Sequence, residues 1–124
     1  IIFHAAGGSG NGMIKEARER SAAGDIRWAI GVDKDQYADG MYGDKSAILT
    51  SMTKRVDVAA YEVAKMTMDG NFPGGETLVF SVANQGVGIP ETNPNLSDDI
   101  VSRVREYEAQ IAAGSLVVSE VPGK

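Results

Sequence analysis

The feature that most limits the fold stands at the start of the chain. The apolar run from Ile1 to Ala6 breaks into Gly7-Gly8-Ser9-Gly10-Asn11-Gly12, and the residues that follow carry Met13, Ile14 and Ala17 on one helical face. A strand that turns through glycine straight into a helix buries one sheet face under that helix. The same alternation then recurs. Gly24 supplies a left-handed helix cap, and Ile26 to Val32 reads as a strand apolar on both faces, the pattern of a central parallel strand. A polar stretch over 33–44 separates it from a third strand at 47–52. Val56, Ala60, Val63 and Ala64 then mark a helix closed by Gly70. A fourth strand is expected over 77–82, followed by a Gly-, Pro- and Asn-rich loop over 84–95. Ser97 is placed as an N-cap with Asp98 and Asp99 in the first turn, ahead of the stripe Ile100, Val104, Tyr107 and Ile111. Gly114 ends that helix, and 116–118 is expected to add an edge strand before Pro122-Gly123-Lys124. The alternation predicts an α/β class: a parallel sheet with flanking helices.

Composition removes whole function classes. There are no cysteines, so disulfides, thiolate metal sites and thiol nucleophiles are excluded. Twelve Lys and Arg against seventeen Asp and Glu give a net charge of -5, and no basic run is present, so nucleic acid is not an expected partner. No apolar run approaches the length of a membrane span. The chain opens at Ile1-Ile2-Phe3, already inside a strand and without Met or a charged leader, and is read as a piece of a longer protein.

In a parallel α/β sheet, ligands bind outside the carboxyl ends of the strands. The glycine loop follows the first strand, Asp33 the second and Lys54 the third, so these groups are expected around one crevice. Lys54 and Arg55 stand near the N-terminal end of a helix, where the helix dipole disfavours cations. A carboxylate such as Asp33 across the crevice would relieve the conflict. A phosphate-binding P-loop is excluded because Met13-Ile14 follows Gly12 in place of Lys and Ser or Thr. The dinucleotide pattern G-x-G-x-x-G fails from Gly8 and from Gly10, its third glycine falling on Met13 or Lys15. Asp33 nevertheless occupies the place of a ribose-binding acid, which keeps an NAD(P)-dependent oxidoreductase fragment as the alternative. Asp33, Asp35, Asp39 and Asp44 match calcium-loop spacing, but Tyr37 and Ala38 break it, so no metal is expected. His4, the only histidine, reads as a packed strand residue rather than a catalytic base, and neither a cofactor nor an enzymatic activity is expected.

Taken in order, three blocks resemble the basic membrane protein family, bacterial surface lipoproteins also described as purine nucleoside receptor-like proteins. They are Ile2-Phe3-His4-Ala5-Ala6-Gly7-Gly8-Ser9-Gly10-Asn11-Gly12, Trp28-Ala29-Ile30-Gly31-Val32-Asp33-Lys34-Asp35-Gln36 and Leu49-Thr50-Ser51-Met52-Thr53-Lys54-Arg55-Val56-Asp57. Gly70-Asn71-Phe72-Pro73-Gly74-Gly75 and Asn84-Gln85-Gly86-Val87-Gly88 fit as well. The resemblance implies a two-lobed type I periplasmic-binding-protein fold of which residues 1–124 form the C-terminal portion, with the helix near 56–69 belonging to the other lobe. It implies an extracytoplasmic, lipid-anchored protein that binds a purine nucleoside for an ABC transporter permease, or a ligand-sensing regulator of the same fold. Its implied ligand-binding residues are Phe3 stacking on the purine, Gly8 against the ligand, and Asp33 and Lys54 on the ribose hydroxyls. Asp35 is the less favoured acid, because only Asp33 immediately ends the apolar strand. With its apolar helix stripe uncovered, the isolated chain is expected either to self-associate or to pack this helix non-natively.

Overall fold

The α/β alternation folds as expected in class, with boundaries set by polar side chains that pattern alone does not reveal. The structure is a computed structural model describing residues 1–119 and 121. The expectations for Pro122, Gly123 and Lys124 lie outside the described residues. The chain divides into two units, Ile1–Lys54 with Ile89–Asp98, and Arg55–Gly88 with Asp99–Lys124.

In the first unit, β1 (Ile2–Phe3) leads through a 3-10 turn at Gly7–Ser9 into α1 (Gly10–Ala22). The second strand, β2 (Ala29–Asp33), starts three residues later than its apolar run. The reason is local: Ser21 Oγ accepts from Arg27 N at 3.0 Å and donates to Arg27 O at 3.1 Å, holding the chain to the end of α1. A stretch read as a plain polar separator contains a 3-10 turn at Tyr37–Gly40 and a small antiparallel hairpin, β3 (Met41–Tyr42) with β4 (Lys45–Ser46). The strand β5 (Ile48–Lys54) runs two residues further than its apolar pattern, so Lys54 ends a strand and does not begin a helix. Pairing is parallel in the order β1-β2-β5, with Phe3 opposite Ile30 and Asp33 opposite Thr53.

The core of this unit is Ile14 and Ala17 of α1 against Ala29, Ala47 and Ile48, with Met13 and Tyr42 packed on its margin. Burying Ile14 and Ile48 contributes about 1.5–3 kcal/mol each. The returning segment 89–98 is tied on by side-chain hydrogen bonds. Asn95 Nδ2 donates to Ser46 O at 3.1 Å and Ile48 O at 2.7 Å, and Thr50 Oγ1 donates to Asn93 Oδ1 at 2.6 Å.

The second unit holds α2 (Val56–Met68), a 3-10 turn at Val82–Asn84, β6 (Val87–Gly88) and α3 (Asp98–Ala112). The strand expected over 77–82 is absent. Ser81 and Asn84 form a reciprocal cap there: Ser81 N donates to Asn84 Oδ1 at 2.7 Å, and Asn84 Nδ2 donates to Val79 O at 2.9 Å. Side chains thus take the backbone groups a sheet ladder would need. The edge strand expected over 116–118 is also absent. After α3 the chain closes on itself, with Ser115 N and Leu116 N both donating to Gln110 O, and Val117 and Val118 stay exposed. Helices α1, α2 and α3 end at Gly24, Gly70 and Gly114, all at positive φ as the sequence predicts. Neither α2 nor α3 buries a residue, and Val56, Tyr61, Met68 and Tyr107 are exposed. Among the described residues no helix is long and apolar enough to cross a membrane.

Candidate ligand site at the carboxyl edge of the sheet

Because β2 and β5 run parallel, Asp33 and Lys54 end their strands at one edge of the sheet, whereas Phe3 ends β1 opposite Ile30, three residues before Asp33 on β2. Asp33 and Lys54 meet directly: Lys54 Nζ lies 2.8 Å from Asp33 Oδ1, with both side chains more than half exposed. At that exposure the pair contributes little to folding. Its geometry is nevertheless costly, since Asp33 has φ 70°, in the left-handed region that non-glycine residues seldom occupy. Lys34 N donates to Val32 O at 2.8 Å around it, which makes Asp33 the centre of a tight γ-turn. Strained backbone of this kind persists where the surroundings over-determine it, and it marks a position for a functional reading.

Phe3 stands at the end of β1 with 52% of its surface exposed, an unusual position for a phenyl ring. Gly8 sits in the 3-10 turn that follows, and a Cβ there would meet nothing within 4 Å. The chain's own packing therefore does not require glycine at position 8. Asp35, the less favoured acid, uses Oδ1 to accept from Tyr37 N at 3.0 Å and so closes the next turn. Asp39 receives Lys34 Nζ at 3.3 Å and Gln36 Nε2 at 3.2 Å. Among the described residues no histidines and carboxylates group as metal ligands.

The helix-dipole conflict at Arg55 is resolved within the second unit. Arg55 is the N-cap residue of α2 and grips Asp57 of the first turn, with Nε and Nη2 at 3.0 and 2.8 Å from its two oxygens. That guanidinium contact holds the Asp57 carboxyl down at about 2. Asp57 thus offsets the Arg55 charge, and Asp33 pairs with Lys54.

Beneath the Asp33 turn lies a buried polar cluster that sequence reasoning missed. Gln36 Oε1 accepts from Val32 N at 2.8 Å and contacts His4 Nε2 at 3.2 Å, while Gln36 N donates to Ser51 Oγ at 3.0 Å. The available signal was Gly31, a glycine inside a strand, which marks close approach by another group. A Cβ there would stand 2.5 Å from Ser51 Oγ and 2.9 Å from Gln36 Oε1.

The family described as ABC transporter substrate-binding protein PnrA-like matches residues 1–121. The chain belongs to this family. Among curated relatives, it is 40% identical over 129 residues to a CD4+ T-cell-stimulating antigen of Listeria innocua, covering 98% of this chain and 36% of that protein. It is 31% identical over 126 residues to the ABC transporter nucleoside-binding protein BmpA of Lactococcus lactis, covering 95% of this chain and 35% of the relative. The chain thus spans about a third of the length of these family members. Two solved structures share its fold. A transcriptional activator of the comK gene from Bacillus halodurans superposes with TM-score 0.73 at 20% identity over 94% of this chain and 38% of that one. An ABC transporter solute-binding protein from Aeropyrum pernix superposes with TM-score 0.69 at 23% identity over 96% and 40%. The α/β sheet of this family member is therefore part of a periplasmic-binding-protein-like fold.

Proposed function

We propose that residues 1–124 are the C-terminal portion of an extracytoplasmic, lipid-anchored solute-binding protein that takes up a purine nucleoside and presents it to an ABC transporter permease, without catalysing a reaction. The observation that carries this reading is the Asp33–Lys54 pair, aimed outward at the carboxyl edge of the sheet from a strained turn. An ionised carboxylate accepts two hydrogen bonds from a ribose diol, and the adjacent ammonium donates to a hydroxyl while balancing the charge. Exposed Phe3 offers a flat face to a purine, worth about 1–3 kcal/mol by analogy with base stacking on aromatic side chains. Gly8, open on its outer side, lets a ligand approach the backbone. The nucleoside-binding name of the Lactococcus relative supports the ligand class. The helix α2 belongs to the second lobe in this reading, and its exposed stripe would make the isolated chain self-associate.

Calorimetric titration of the intact protein with guanosine, inosine and NAD tests the proposal. Nucleoside binding without turnover, at micromolar affinity or tighter, is expected. NAD binding without nucleoside affinity, or no binding of either, would overturn it.

A further inference from the structure

We propose that Gln36 is a positioning residue that sets how strongly the site recognises the ribose diol, acting through the backbone of Val32 on the carboxylate of Asp33. The inference rests on the reading of Asp33 as the ribose-binding acid.

Gln36 is 6% exposed, and its side-chain amide can point only one way. Val32 N is a donor, so the group 2.8 Å from it must be the amide oxygen, and the amide nitrogen is then directed to Asp39 Oδ2. Because Oε1 is an acceptor, His4 donates to it through Nε2–H, while its Nδ1 is buried without a partner. Every position around Gln36 is thereby dictated by a neighbour. Its backbone N–H is held by Ser51 of β5, its amide by Asp39, and its oxygen by β2 and His4.

The consequence falls on one peptide. Val32 has its N–H fixed by Gln36 and its carbonyl fixed by Lys34 N, so the residue before Asp33 is clamped on both sides. Asp33 is thereby kept at φ 70° with its carboxylate against Lys54. Without the Gln36 oxygen, Val32 N–H is left buried without an acceptor, the γ-turn opens, and Asp33 relaxes to negative φ with its carboxylate leaving the diol position. His4, in contact with both Gln36 and Gly10, fixes the amide from the side of the glycine turn.

The test is made in the intact protein with Gln36→Met, which preserves side-chain length and removes the acceptor. Affinities for a purine ribonucleoside and its 2′,3′-dideoxy analogue are compared. A merely structural role would weaken both ligands alike. A positioning role lowers the ribonucleoside preference about tenfold, as expected for loss of a hydrogen bond to a charged group, and leaves the dideoxy affinity near the parent value. Equal weakening of both ligands, or no change in either, overturns the proposal. Ser51→Ala, which releases the Gln36 backbone N–H, serves if Gln36→Met does not fold. It shifts the same ratio in the same direction, and an unchanged ratio counts against the proposal. If the parent protein binds no nucleoside, the ribose reading fails on its own. The positioning claim is then decided by the crystal structure of the variant, where Asp33 is expected to leave positive φ and lose its 2.8 Å contact with Lys54, and unchanged geometry would overturn the claim.

Discussion

Replacing Asp33 by alanine in the intact protein is expected to weaken purine ribonucleoside binding by about 3 kcal/mol, on the order of a hundredfold. Two hydrogen bonds from the ribose diol to an ionised acceptor disappear together, and Lys54, now 2.8 Å from the Asp33 carboxylate, loses the charge that it balances. In a ligand-filled site, an ammonium left without its partner adds the cost of an uncompensated charge to that of the lost hydrogen bonds. Folding stability changes far less, because the pair is largely exposed, although alanine tolerates the φ of 70° at this position less well than aspartate does. A loss of affinity well beyond the loss of stability is therefore the signature, and equal calorimetric affinities for variant and parent would refute the role.

A second large effect is expected at Gly10, the first residue of α1. By helix propensity alone, alanine in place of glycine within a helix stabilises by about 0.8–1 kcal/mol. Here the new methyl carbon would collide with Nδ1 and Cε1 of His4, whose ring is itself buried and hydrogen-bonded to Gln36. The imidazole cannot swing aside without releasing that bond, so overpacking wins, and Gly10→Ala should destabilise the protein by about 1–3 kcal/mol in denaturant unfolding. His4→Ala removes the obstacle. The double variant should therefore lose less than the sum of the two single variants, and strict additivity would show that the clash is relieved in some other way.

Much of this fold is legible in the sequence where one residue carries the signal. Glycines 24, 70 and 114 end their helices because each takes a positive φ that other residues resist. The Asp33–Lys54 contact is legible because Asp33 ends one apolar run and Lys54 lies two residues beyond another, and parallel pairing brings such ends to one edge. What escapes depends on partners distant in sequence. Apolar alternation over 77–82 cannot show that Ser81 and Asn84 would take the backbone groups a strand needs. The hairpin at 41–46 hides in a polar stretch because it is held by Ser46, whose Oγ donates to Tyr37 O at 2.7 Å, and by Asn95, 49 residues further on. Gln36 reads as one more loop amide, since its role comes from His4, 32 residues before it, and Ser51, 15 residues after it. Gly31 was the only local trace of that cluster, and it says that something approaches the strand without saying what.

The most direct test of a ribose-binding role for the Asp33–Lys54 pair is a crystal structure of the intact protein with bound guanosine. The account predicts both ribose hydroxyls within hydrogen-bond distance of the Asp33 carboxylate, one of them also reached by Lys54 Nζ, with the purine face on Phe3. A nucleoside bound with its ribose away from Asp33 and Lys54, or a base seated where the pair should hold the sugar, would contradict it.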